Sequence, residues 1–169
     1  MTTITADRLH ITEFSVYDTS FIIELLNSPG WLQYIGDRGV SDTETALAYL
    51  MNGPMKSYNE KGFGLWLVKL RATNASIGMC GLLQREYLPH PDIGFALLPR
   101  YEGQGYAFEA ANAVLRHGAE VLDMRTIMAI VTPGNEHSLR LLQKLGFAHK
   151  GPITVHDEEL VSLEWNAAP

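Results

Sequence analysis

Two glycines one residue apart, Gly103 and Gly105, lie in the stretch LLPRYEGQGYAFEA, between a run typical of a buried strand and a run typical of a helix. A strand that turns through Gly-x-Gly into a helix presents successive backbone N–H groups at the helix N-terminus, where these donors and the helix dipole attract anions. A Cβ at either position would forbid the backbone angles of the turn or hold an anion away. The spacing alone fits an anion site and a glycine-rich helix entry that binds nothing equally well.

The kind of anion follows from what the stretch lacks. It is not a G-x-G-x-x-G motif, because Phe108 stands three residues after Gly105, and no Lys-Ser/Thr pair follows the glycines as in a P-loop. A diphosphate bound without a metal fits better. The six histidines also show no paired ligand spacing, so the sequence predicts no metal site.

The segments around this turn alternate between strand and helix patterns. Before the turn, periodicity predicts a strand at Arg8 to Glu13, helices at Ser15 to Asn27 and from Ser41 or Asp42 to Tyr58, and strands in FGLWLVKL, SIGMCGLLQRE and DIGFALL. After it, we expect a helix, a buried strand in TIMAIVT, a helix from Asn135 to Gly146, and strands at about Ala148 to Val155 and Leu160 to Trp165. This order predicts an α/β fold, a mixed sheet with helices on both faces.

Composition narrows the class of protein. A chain of 169 residues that is 46% hydrophobic and 19% charged suits one globular domain. No run approaches the ~20 apolar residues of a membrane span, the N-terminus lacks the features of a signal peptide, and the single cysteine, Cys80, excludes an internal disulfide. We therefore expect a cytoplasmic protein that binds no membrane. A net charge of −6 argues against nucleic acid and favours a cationic ligand, although mild acidity also aids solubility.

Four segments, in the right order, resemble those of one enzyme family. Arg100 to Ala107 resembles the Q/R-x-x-G-x-G/A signature of the GCN5-related N-acetyltransferases (GNAT), and DIGFALLP resembles their fourth strand. Asn135 to Ser138, followed by LLQKLGF, is similar to the family's N-x-x-S helix, and ADRLHITEF to the opening of the branch related to ribosomal-protein N-terminal acetyltransferases. The resemblance implies a single GNAT domain over residues 1–169, with a mixed, mostly antiparallel twisted sheet of about seven strands.

By the same resemblance, the glycine turn would hold the pyrophosphate of acetyl-coenzyme A, the co-substrate. Gln104 departs from the family, in which this position is often basic, so that backbone donors and Arg100 would have to do more. The resemblance implies the following residues for binding acetyl-coenzyme A: Ala96, Leu97, Leu98, Arg100, Gly103, Gln104, Gly105, Tyr106, Ala107, Asn135 and Ser138.

The implied chemistry is direct attack of a neutral amine on the thioester carbonyl. It requires a base for the amine, a donor for the developing oxyanion and a proton for the departing thiolate. For the base we expect Asp92, on the strand where histone-acetylating members of the family carry a carboxylate, unless Asp92 only closes the turn after Pro91. Its rivals are Glu86, His90 and the acidic cluster at Asp157–Glu159.

The other two roles rest on the resemblance. It implies a backbone N–H near Ala96 to Leu98 as the oxyanion donor, Ser138 as the proton donor to the thiolate, and Asn135 as a partner of the pantetheine arm. Without the resemblance, the sequence favours Asn135 as only an N-cap and Ser138 as an exposed first-turn serine.

The acceptor is the least constrained part of the prediction. Trp31, Tyr34 and Arg38 fall in the region that resembles the family's acceptor-side wall, but they could equally latch the core. The residues do not separate a peptide N-terminus from a small-molecule amine, and they leave the oligomeric state open, a homodimer included. The sequence thus predicts an acetyl-coenzyme A-dependent N-acetyltransferase. The alternative is a catalytically silent acyl-coenzyme A binding module or sensor.

Overall fold

The computed structural model describes all 169 residues. Its strands are β1 (Thr3–Thr5), β2 (Leu9–Thr12), β3 (Leu65–Leu70), β4 (Ser76–Leu83), β5 (Asp92–Leu97), β6 (Thr126–Val131), β7 (Ala148–Val155) and β8 (Glu158–Asn166). Its α-helices are α1 (Thr19–Leu26), α2 (Pro29–Tyr34), α3 (Thr43–Asn52), α4 (Pro54–Lys61), α5 (Tyr106–Glu120) and α6 (Glu136–Lys144). None of these helices combines the length and the apolar character needed to cross a membrane.

The strands form one eight-stranded sheet in the order β1-β2-β3-β4-β5-β6-β8-β7. Neighbouring strands run antiparallel except for the central pair, β5 and β6, which is parallel. This arrangement confirms the predicted mixed, mostly antiparallel sheet.

Helices cover both faces of the sheet, because the strands alternate their apolar side chains between two cores. On β3, Trp66 and Val68 belong to a core shared with α5 and α6, whereas Leu67 lies in the core shared with α1 and α3. The α5 face is built largely of small residues such as Ala110 and Ala111, which bring the helix close to the sheet.

The parallel pair is the weakest junction of the sheet. β4 and β5 pair at six register positions, from Gly78–Leu97 to Leu83–Asp92, whereas β5 and β6 pair at one, Asp92–Met128. Beyond it, β5 is only partly buried from Gly94 to Leu97, although it lies in the middle of the sheet. The two strands therefore leave a gap toward their C-terminal ends, and β5 leads from there into the glycine turn.

The N-terminal third differs in detail from the prediction. The expected helix from Ser41 or Asp42 to Tyr58 is two helices, because Gly53 ends α3 and Pro54 occupies the first turn of α4. Pro29 likewise begins α2 instead of only ending α1. The additional strand β1 contributes one buried side chain, Ile4, which is too little for periodicity to detect.

Candidate active site

The glycine turn leaves a row of backbone donors without protein partners. Gly103 and Gly105 both have positive φ, 74° and 82°, and Gly105 is the N-cap of α5. No turn, loop or cap hydrogen bond has a backbone donor between Gly103 and Phe108, and the next donor, the Glu109 N–H, bonds to the Gly105 carbonyl. These free N–H groups lie at the positive end of a fifteen-residue helix. The turn can therefore bind an anion such as a diphosphate.

Sequence reasoning missed Arg8, which packs against this turn. Its Nη1 donates to the Gln104 carbonyl at 3.0 Å. Its Nε donates to the Glu109 carboxylate at 2.8 Å, and its guanidinium lies 4.3 Å from the centre of the Tyr106 ring. The hydrogen bond to Glu109 is the main factor that raises the pKa of Arg8 above its ordinary value. Only the position of Arg8 in ADRLHITEF could have pointed to it, and no local pattern connects it with residues about a hundred positions away.

Arg100 points to a different partner from the one expected. Its Nη1 donates to the Glu24 carboxylate of α1 at 2.5 Å, and both side chains are about half exposed. The Arg100 carbonyl accepts from the Gln104 side chain at 3.2 Å, so its main chain does belong to the turn. A contact from the Arg100 guanidinium to a diphosphate requires it to leave Glu24.

At the end of β5, the three residues expected to offer backbone donors do not all direct their N–H groups to the same side. The Leu98 N–H donates to the Ile77 carbonyl at 2.9 Å, so it is already used by β4. Bonded positions alternate along an antiparallel pair, so Ala96, opposite Met79, is bonded to β4 as well. Leu97 and Phe95 then direct their N–H groups to the other edge, into the gap beside β6. Of the expected donors Leu97 is the one that faces the gap, and Phe95 is an additional one.

On the other side of the gap, α6 begins just after β6. Asn135 is the N-cap of α6, and its Oδ1 accepts from the Ser138 N–H at 3.4 Å. The structure thus shows the capping role, while the Asn135 side-chain N–H₂ and the Ser138 hydroxyl have no protein partner. Both groups are partly buried and remain available to a ligand.

Asp92 lies at the closed end of the gap, roughly 17 Å along β5 from Leu97. Its side chain is 1% exposed, and its Oδ1 accepts from Arg85 Nε at 3.1 Å. Burial raises the pKa of Asp92 to about 6, against the opposing effect of the Arg85 charge. A carboxylate with this pKa can accept a proton near neutral pH.

The rival bases are more exposed than Asp92. Glu86 and the Asp157–Glu159 cluster are exposed, and His90 is half-buried between its prolines. Sequence reasoning did not foresee that Arg85 Nη1 donates to the Tyr87 hydroxyl at 2.8 Å, or that the Tyr87 ring packs edge-on against His156 at 5.6 Å. These contacts join the loop before β5 to the turn between β7 and β8.

The three residues expected at the acceptor wall have three different surroundings. Trp31 is buried in the core beneath α1 and α3, which favours the core interpretation for this residue. Tyr34 ends α2, and its carbonyl accepts from the Thr132 hydroxyl at 3.0 Å, so that α2 contacts the loop after β6. Arg38 is exposed and lines a separate cavity of about 340 Å³ with Tyr49. Only Tyr34 is therefore joined to the gap by a hydrogen bond.

Comparison with known proteins agrees with this geometry. The chain matches the model of the family described as "Acetyltransferase (GNAT) domain" over residues 8–148. The uncharacterized N-acetyltransferase YnaD of Bacillus subtilis (strain 168) is 32% identical over 149 residues, which cover 88% of this chain and 84% of that protein.

Two solved structures share the fold. An acetyltransferase from Agrobacterium tumefaciens str. C58 superposes with a TM-score of 0.85 at 23% identity and covers 99% of this chain and 95% of its own. RimL, a ribosomal L7/L12 alpha-N-protein acetyltransferase in complex with coenzyme A, superposes with a TM-score of 0.84 at 16% identity over 98% of both chains. The chain therefore belongs to the GNAT family and is an acetyltransferase.

Proposed function

We propose that this protein, as one domain over residues 1–169, transfers the acetyl group of acetyl-coenzyme A directly to a primary amine. The observation that carries the proposal is the row of unpartnered backbone N–H groups from Gly103 to Phe108, at the end of the strand that borders the sheet's gap. An anion site next to an open cleft suits a donor with a diphosphate and a long thioester-bearing arm. The coenzyme A complex of RimL, which has the same fold, supports this choice of donor.

Each end of the donor has candidate partners. The turn's N–H groups would hold the diphosphate, with Gln104, Tyr106 and Ala107 beside it. The Asn135 amide, on the opposite side of the gap, would donate to the pantetheine arm. Leu97 offers the backbone N–H that would stabilise the oxyanion, because its donor faces the gap and Leu98's does not.

Two side chains would move the protons. The acceptor nitrogen forms a bond to the thioester carbonyl carbon as the carbon–sulfur bond breaks, and the amine loses a proton. Asp92, ionised above pH about 6, would accept this proton through a chain of waters along the gap, since roughly 17 Å of β5 separates it from Leu97. Ser138 would protonate the thiolate, since its hydroxyl has no protein partner and it lies in the first turn of α6.

The acceptor is a primary amine, of a peptide N-terminus or of a small molecule. The net charge of −6 and the acidic turn at Asp157–Glu159 favour the approach of a cation. The amine must then lose its proton, which is easier for an α-amino group, with a pKa of ~7.7–8.0, than for a lysine side chain near ~10.4. We propose the cytoplasm as the compartment of this activity, where acetyl-coenzyme A would be available to it.

The decisive experiment mixes the protein with acetyl-coenzyme A and a panel of amines, and it measures free thiol and product mass. The panel contains a polyamine, amino acids and short peptides with free N-termini, each peptide paired with its N-acetylated form as a blank. We expect thiol release above hydrolysis, and an acetylated product, with at least one free amine. Coenzyme A binding without acetylation of any amine would instead indicate the silent binding module.

A further inference from the structure

We propose that Arg8 is a positioning residue of the donor site, which sets the direction in which the glycine turn presents its N–H groups. The inference rests on the proposed function, because it concerns how the same turn binds coenzyme A. Arg8 lies immediately before β2, on a segment that sequence analysis connected with no chemistry.

Arg8 binds two parts of the turn–helix junction at once. Its backbone N–H and its Nε both donate to the Glu109 carboxylate, each at 2.8 Å, which ties the start of β2 to the first turn of α5. Its Nη1 donates to the Gln104 carbonyl at 3.0 Å, and its guanidinium stacks on Tyr106. A planar fork with several donors can hold such separate acceptors in one geometry, whereas an ammonium group cannot.

The contact with the Gln104 carbonyl has a consequence for the next residue. The Gln104 carbonyl and the Gly105 N–H belong to the same planar trans peptide unit, in which C=O and N–H point in opposite directions. Because the carbonyl is held toward Arg8, the Gly105 N–H must point away from Arg8. Without Arg8 no other hydrogen bond would hold this peptide unit, which joins Gln104 to the conformationally free Gly105.

The position of Arg8 also explains part of the requirement for glycine. A Cβ built on Gly105 would lie 3.3 Å from Arg8 Nη2, while one on Gly103 would meet no atom within 4 Å. The guanidinium therefore packs directly against Gly105, on the face opposite to its N–H.

Arg8 contributes to donor binding through the geometry of the turn rather than through its net charge. Glu109 neutralises the guanidinium at 2.8 Å, so that the pair adds little long-range attraction for an anion. The Arg8 end of this ion pair is 46% exposed, and solvent screening there limits what the pair contributes to stability, whereas the Glu109 side chain is 18% exposed. Loss of Arg8 should consequently weaken donor binding far more than it weakens the fold.

The test compares Arg8→Gln with Arg125→Gln. Arg125 is a matched control at the other end of α5, because it also pairs with a carboxylate, Asp123, and donates to a backbone carbonyl, that of Ala119. By calorimetry we expect Arg8→Gln to weaken coenzyme A binding about ten- to a hundredfold and Arg125→Gln to leave it unchanged. In steady-state assays Arg8→Gln should raise KM for acetyl-coenzyme A, with kcat at saturation within about twofold of wild type.

Two further measurements separate positioning from charge and from misfolding. In ¹H–¹⁵N spectra, added inorganic pyrophosphate should shift the Gly105 amide of the wild type but not that of Arg8→Gln, whose other amides should stay in place. Arg8→Lys retains the charge without the fork and should not restore affinity.

The outcomes distinguish this inference from the proposed function. A wild-type protein that binds no coenzyme A would refute the proposed function. If the wild type binds coenzyme A and Arg8→Gln binds it equally well, the role of Arg8 is refuted. An Arg8→Lys variant with full affinity would refute it too.

Discussion

Asp92 and Met128 are the single pair of residues that joins β5 to β6. The Met128 N–H also donates to the Pro91 carbonyl at 2.8 Å, one residue before Asp92. The position at which the sheet stops being continuous is therefore the position of its most deeply buried carboxylate. A cleft that opens from this point toward the glycine turn has free backbone N–H groups at one end and a titratable acid at the other.

The stability of the protein should fall as Asp92 ionises. Burial raises the pKa of Asp92 from its ordinary value of 3.8 to about 6, so the folded state holds this proton more tightly than the unfolded chain. The stabilisation from the protonated Asp92 is fully present below pH ~4. It is lost as the pH rises through about 6, which lowers the free energy of unfolding by on the order of 3 kcal/mol. Denaturant unfolding between pH 4 and 7 should show that Asp92→Asn removes this slope.

Asp123 provides the control for this titration, because its side chain is 93% exposed and also pairs with an arginine. Asp123→Asn should leave the slope as in the wild type. If Asp92 is also the base, Asp92→Asn should abolish the fall of kcat/KM below pH about 6. An unchanged slope of stability would show that Asp92 does not titrate in this range.

Substitution of Gly105 should damage donor binding beyond its effect on the fold. Gly105→Ala places a Cβ at φ 82° and 3.3 Å from Arg8 Nη2, which disturbs the turn. Gly62→Ala is the matched control, since Gly62 has φ 78°, no atom near its Cβ position and no part in the site. Each should lose about 1–2 kcal/mol of stability, but only Gly105→Ala should lose coenzyme A affinity by calorimetry. Equal affinities would contradict the assignment of the turn.

The Arg100–Glu24 pair predicts opposite effects for its two partners. If Arg100 leaves Glu24 to contact the diphosphate, Arg100→Ala should weaken coenzyme A binding by ~1–3 kcal/mol, as for a charge-assisted hydrogen bond. Glu24→Gln should then strengthen binding, because it releases Arg100. Calorimetry on both variants is the measurement, and unchanged affinity in both would remove Arg100 from the donor site.

Local signals in the sequence were sufficient for the framework of the site. The Gly-x-Gly spacing placed the N-terminus of α5 correctly, and the apolar run before Thr132 placed β6, because turn chemistry and burial act within a few residues. The break at Gly53-Pro54 is also a local signal, but the prediction of one helix to Tyr58 rested on the apolar stripe through Ala46 and Leu50 and did not include it.

The remaining features depend on contacts between distant segments. Arg8 and Gln104 are 96 positions apart, and no periodicity connects a residue before one strand with a turn after another. The alternation that leaves Leu97 facing the gap and commits Leu98 to Ile77 depends on the register of β4 and β5. Register is fixed by the packed sheet, so the sequence could indicate three donors but not select among them.

A substitution of Asn135 should distinguish its role as the N-cap of α6 from its proposed contact with the ligand. Asn135→Ser keeps a good N-cap side chain but removes the amide N–H₂ proposed to meet the pantetheine arm. We expect a melting temperature close to wild type and a higher KM for acetyl-coenzyme A with unchanged kcat, since the contact exists before the chemistry begins. A wild-type KM would leave Asn135 with the capping role alone.

Ser138→Ala should lower the rate of the chemical step without weakening donor binding. The fold should tolerate the change, because alanine is a good helix former and the hydroxyl has no protein partner. General acid catalysis typically contributes 10²–10⁴-fold, and we expect kcat to fall by about 10², since a thiolate whose thiol has a pKa of ~8.5 is already a fair leaving group. Ser20→Ala, an exposed serine in the first turn of α1, is the control and should keep the wild-type rate. Equal kcat values for the two variants would show that the proton reaches the thiolate from water or from a tyrosine instead.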